Sequence, residues 1–161
     1  MAIPDRLNSD LGWGLAVVFR SYVKAADAIA DKIPGSHRGY QVLSAAARDD
    51  PGSQAALAQR LSIDRTVMTY LLDDLEAARL VERQADPADR RSRRIVATGH
   101  GREVLLELDG RFADAEQHLL RGLDPADQAE FRRLLSDIAA RANDHDPVAD
   151  ACEAAEDIKS R

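Results

Sequence analysis

The sequence changes period at Leu80. Before it, apolar residues recur every three or four positions, as on one face of a helix. After it, residues 80–83 and 94–97 read as two short strands. Residues 84–93, QADPADRRSR, lie between them, and Pro87 with its flanking aspartates favours a turn. A β-hairpin is therefore predicted, and its tip is basic. From Arg83 to Arg94 five arginines (83, 90, 91, 93, 94) stand against Asp86 and Asp89. Clustered like charges do nothing for folding, whereas an external polyanion offsets their repulsion.

Two short helices precede the hairpin. Ser53 is placed to cap a helix over 54–61, with Ala55, Ala58 and Leu61 on its apolar face and Leu57 alongside. Ser62-Ile63 makes a tight connection, and Asp64 caps a helix over about 65–78. Val67, Met68, Leu71, Leu72 and Leu75 form the apolar side of that helix, leaving Arg65, Thr66, Thr69, Tyr70 and Asp73 to face elsewhere. A guanidinium, two hydroxyls and a phenol at the N-terminal half can donate to phosphates and base edges in a DNA major groove.

Longer helices flank this unit. Leu11, Leu15, Val18, Tyr22, Ala26 and Ile29 mark one over 10–33, which Pro34-Gly35 should end. Ser36 is the expected cap of the next, carrying Tyr40, Leu43 and Ala47 and closed by residues 50–52. Thr98 should start a fifth helix lined by Val104, Leu105, Leu108, Phe112, Ala115 and Leu119. Asp124-Pro125 starts a sixth, with Phe131, Leu134, Leu135 and Ile138 at helical spacing. The fold class expected is mainly α with a small β-hairpin. A net charge of −6 weighs against nucleic acid only until its distribution is seen. Six acids crowd residues 144–161 against Lys159 and Arg161.

Residues 57–102 resemble the multiple antibiotic resistance regulator (MarR) family of winged helix-turn-helix regulators. The likeness lies in the D-R-T helix start, the L-L-D-x-L-E run, L-V-E-R into the hairpin, D-P-x-D-R-R at its tip and T-x-x-G-R after it. It implies one domain over 1–145, with the winged motif at 36–100, dimerisation helices at 10–35 and 101–145, and an acidic tail at 146–161. It implies a homodimeric regulator, more often a repressor, on a pseudo-palindromic operator in double-stranded DNA. Arg65, Thr66, Thr69 and Tyr70 would contact bases or phosphates. Arg90, Arg91 and Arg93 would serve the wing, with Arg91 in the minor groove and Asp89 bracing it. A small lipophilic effector is expected near Trp13, His37 and Arg38. Two positions depart from the family pattern. Asp74 stands where an arginine usually braces the wing acid. Arg79 replaces the glycine that closes the recognition helix, so a left-handed glycine cap is unavailable there.

Other chemistry finds little support. His37, His100, His118 and His145 have no metal-ligand spacing, and no catalytic set or cofactor motif is visible. Cys152 cannot form a disulfide within the chain, and its acidic surroundings suppress the thiolate. Trp13 and Phe19 are expected at a dimer interface. No membrane span or secretory signal is evident, so a cytoplasmic location is expected. The competing reading is a helical protein–protein interaction module without DNA binding, which the acidic tail would suit.

Overall fold

Among the described residues, four helices, a hairpin and two further helices follow in order: α1 (Leu11–Ile29), α2 (Ser36–Ala46), α3 (Gln54–Arg60), α4 (Arg65–Ala77), β1 (Val81–Ala85), β2 (Arg93–Ala97), α5 (Gly99–Leu120) and α6 (Pro125–Asp144). The computed structural model describes residues 10–48, 52–86 and 93–144, with side chains to 141. Two compact units meet at a boundary between Leu119 and Leu120. No helix among the described residues is long and apolar enough to cross a membrane.

In the first unit, α1 begins where the Asp10 carboxylate accepts from the Trp13 amide at 2.7 Å. It ends at Ile29, earlier than the apolar spacing suggests, because Ala30 to Gly35 run on as turns. Pro34-Gly35 therefore opens α2 instead of closing α1. Ser36 is not the cap of α2. Gly35 holds that position at φ 74°, and Ser36 itself lies at φ 49°. Asp27 of α1 takes over the capping role, accepting from the His37 amide at 3.1 Å.

The core gathers Ala26 of α1 and Ala30 just after it, Val42, Leu43 and Ala46 of α2, Leu57 of α3, Met68, Leu72 and Leu75 of α4, and Val81 and Ile95 of the hairpin. Each large side chain buried there contributes about 1.5–3 kcal/mol before entropy is counted. Tyr40 stacks on Phe112 with ring centroids 4.0 Å apart, tying α2 to α5. In the central helix pair, two expected apolar-face positions are not core. Ala55 is exposed while its neighbour Leu57 is fully buried, and Val67 stays 43% exposed.

Each helix of the central pair is capped as expected. Ser53 Oγ accepts from the Ala56 amide, and Asp64 Oδ1 from the Thr66 and Val67 amides. Those amide bonds, that from Val67 foremost, hold the Asp64 carboxyl below its ordinary pKa. Both helices close through a non-glycine residue in the left-handed region, Ser62 at φ 50° and Arg79 at φ 59°. The following amides reach back five residues, Ile63 to the Ala58 carbonyl and Leu80 to that of Leu75, both at 2.9 Å. The left-handed cap at Arg79 thus forms without glycine.

Strands β1 and β2 are slightly longer than expected and pair antiparallel from Val81–Ala97 to Ala85–Arg93. Residues before α3 extend the sheet on its other side: Ser53 bridges Arg94, and the Ile95 amide donates to the Gly52 carbonyl. Thr98 joins sheet to helix. Its Oγ1 donates towards the Arg79 carbonyl at 2.6 Å and accepts from the Gly101 amide at 2.9 Å. A Cβ on Gly101 would stand 2.1 Å from the Leu80 carbonyl oxygen, so only glycine allows this approach. Arg102 then donates to the Ala47 carbonyl at 2.7 Å, closing the end of α2. T-x-x-G-R is accordingly a structural clasp.

In the second unit, Asp124 caps α6 by accepting from the Ala126 and Asp127 amides. Arg133 bridges Glu130 and Asp137 on its surface.

Candidate nucleic-acid interface

Helix α4 divides cleanly into two faces. Met68, Leu71, Leu72 and Leu75 are buried, whereas Arg65, Thr66, Thr69, Tyr70, Asp73 and Asp74 are exposed. Arg65, Thr66, Thr69 and Tyr70 thus come together on one open face of the first two turns, as the spacing predicts. Tyr70 is 68% exposed. Val67 joins the exposed surface, so the face has an apolar element absent from the sequence reading.

Thr69 is fastened. Gln54 Nε2 at the start of α3 donates to Thr69 Oγ1 at 2.9 Å, and that oxygen donates to the Arg65 carbonyl at 3.0 Å. The first bond ties the two central helices together at their exposed edge. Gln54 has no marker in the sequence, because the bond depends on how α3 crosses α4.

Arg83 changes character. Counted with the basic tip, it lies at the hairpin's base and turns back onto α4. Its guanidinium reaches Asp73 and Glu76, each at 2.5 Å, and its amide donates to Glu76 Oε1 at 3.1 Å. Both acids lie on α4, one turn apart, so a single side chain braces α4 against the hairpin. This brace does not use Asp74, which is exposed. Arg93 is exposed on β2, opposite Ala85. Asp89, Arg90 and Arg91 lie outside the described residues, as do His145 and Cys152.

The three expected effector residues differ in environment. His37 is buried, with its ring edge-on to Tyr22 at 5.6 Å. Burial lowers its pKa; Asp27 pulls it back up and Arg38 adds to the lowering. Trp13 is half-buried on α1 and Arg38 is exposed. A separate cleft of about 400 Å³ lies between the end of α1, Ala78 and Leu80 after α4, and Val104 and Leu108 of α5. None of Trp13, His37 and Arg38 lines it. No cluster of three potential metal ligands occurs among the described residues.

Two helices joined by a short turn, a capped second helix with a polar open face and a braced hairpin behind it define a winged helix-turn-helix protein. Residues 38–92 match the sequence profile of the MarR family. A curated protein of Thauera aromatica, described as a proposed transcriptional regulator for the hcr operon, is 28% identical over 134 residues, covering 76% of this chain and 78% of its own. CouR of Rhodococcus jostii RHA1, solved with p-coumaroyl-CoA, is 28% identical with a TM-score of 0.72 over 84% of this chain and 96% of its own. CouR on a 23-mer DNA duplex aligns with a TM-score of 0.66 at 24% identity, over 86% of this chain and 99% of its own. Over residues 38–92 the chain is thus similar to the MarR family, and its fold is that of solved MarR-family transcriptional regulators.

Proposed function

We propose that this chain is a sequence-specific DNA-binding regulator and not an enzyme, a cytoplasmic repressor acting as a homodimer on a pseudo-palindromic operator. The observation that carries the reading is the open polar face of α4, offered by a helix whose opposite face is wholly buried. Arg65, Thr66, Thr69 and Tyr70 enter the major groove. Arg90, Arg91 and Arg93 follow phosphates or the minor groove, with Asp89 bracing the tip. Residues 36–100 form the winged motif, 10–35 and 101–145 the dimerisation helices, and 146–161 a separate acidic tail. The DNA complex of CouR supports this use of the fold.

A small-molecule effector releases the operator in this reading, and the ligand complex of CouR supports such a role. Trp13, His37 and Arg38 are the side chains proposed to meet it. The effector acts by favouring a spacing of the two recognition helices that misses successive grooves.

The test is fluorescence anisotropy of the full chain against duplexes tiling its own locus, with random duplex as competitor, over a salt series. One tile should bind in preference to random DNA, with an affinity that falls as salt rises. Failure to bind any duplex, or to be retained on heparin at low salt, would favour the protein-interaction module instead.

A further inference from the structure

Thr69 has no proton left for a base. A hydroxyl carries one, and that of Thr69 goes to the Arg65 carbonyl, while Gln54 fills part of its acceptor capacity. Without breaking a bond it can still offer its methyl and one remaining acceptor lone pair, but no donor. Thr69 lines a cleft of about 270 Å³ between α3 and α4 with Gln54, Ala55, Ala58 and Arg65. Ala55, exposed on α3, adds a second small apolar group. The cleft thus combines apolar surface with a guanidinium.

In the major groove, the apolar feature of a base pair is the C5-methyl of thymine. We propose that Thr69 and Ala55 form a receptor for the 5-methyl group of a pyrimidine in each half-site. Thr69 therefore sets specificity by apolar contact, not by a hydrogen bond to the base. Arg65, lining the same cleft, supplies the donors for a neighbouring guanine. The recognised chemistry is the methyl itself, so 5-methylcytosine satisfies the site as thymine does. This inference rests on the DNA-binding reading above.

The experiment begins with an operator enriched from a random duplex library by the full chain. Each half-site thymine is then replaced singly by deoxyuridine, which lacks only the methyl. One position should weaken binding about three- to five-fold, as expected for one methyl taken out of water. Cytosine at that position should recover when 5-methylated. Thr69→Ser keeps the hydroxyl and its bonds but removes the methyl, and it should discriminate less than wild type between the thymine and deoxyuridine operators.

Several results would overturn the inference. They are an enriched half-site without thymine, no deoxyuridine position that weakens the wild-type chain, or a Thr69→Ser variant as methyl-sensitive as wild type. If Thr69→Ser does not fold, by circular dichroism, the deoxyuridine scan of the wild-type chain with an Ala55→Gly variant decides. Ala55→Gly should lessen the methyl effect, and an undiminished effect overturns the receptor. Enrichment of no duplex at all is a different failure: it removes the DNA-binding reading itself, and this inference with it.

Discussion

Arg79 occupies the left-handed region at φ 59°, where a β-carbon costs about 1–2 kcal/mol. The bond from the Leu80 amide to the Leu75 carbonyl and the burial of both leucines hold it there. Glycine would relieve the strain while losing about 0.4–1 kcal/mol through a freer unfolded chain. Arg79→Gly should therefore stabilise the protein by roughly 0.5–1 kcal/mol, read as a melting temperature raised by about 2 °C. His37 makes a second prediction at this scale. Its folded pKa lies below the ordinary 6.5, because burial penalises the imidazolium. The unfolded chain thus binds the proton more readily. The stabilisation from neutral His37 is complete above about pH 6.5 and is lost as pH falls towards the depressed value. Urea melts from pH 7.5 to 5 should show that loss, and His37→Gln should flatten it. A wild-type profile as flat as the variant's would refute it. The sequence disclosed neither feature. The missing glycine at 79 left a left-handed turn unmarked, and nothing local marks a histidine buried edge-on to a tyrosine fifteen positions earlier.

The winged motif was legible where its determinants are local. Ser53, Asp64, Thr98 and Asp124 act on amides two or three residues ahead, and each is where the sequence placed it. Partners that depend on how elements cross were not legible: Asp27 on the start of α2, Gln54 on Thr69, and Arg83 on Asp73 and Glu76. The last of these separates two kinds of arginine. Arg83 is committed to α4, so Arg83→Met should weaken operator binding by loosening the hairpin while leaving the salt slope unchanged. Arg93 is exposed, and Arg93→Ala should lower that slope by about one unit. Anisotropy titrations from 50 to 300 mM salt measure both, and a reduced slope for Arg83→Met would contradict its role as a brace.

Across the whole molecule, α1 carries one apolar stripe with two fates. Its C-terminal half, around Ala26, enters the core, but Leu11, Leu15 and Phe19 remain 77%, 54% and 63% exposed. Leu134, Leu135 and Ile138 of α6 are exposed as well. Exposed apolar stripes of this kind mark association surfaces. The double variant Leu15→Glu, Phe19→Glu should shift the mass in light scattering from dimer to monomer and abolish tight operator binding while keeping helical content. A variant that remains dimeric would place the interface elsewhere.

The junction at Thr98 bears on how a signal could travel. Thr98 hydrogen-bonds the carbonyls at the end of the recognition helix, and the Gly101 backbone rests against Leu80. The recognition helix and the twenty-two residues of α5 are therefore anchored to one another at a joint with no slack. Mechanically they form a crank: turning the long arm turns the short one. A displacement of α5 at this joint would reach the end of α4 through these backbone contacts, with Phe112 carrying it to α2 through Tyr40.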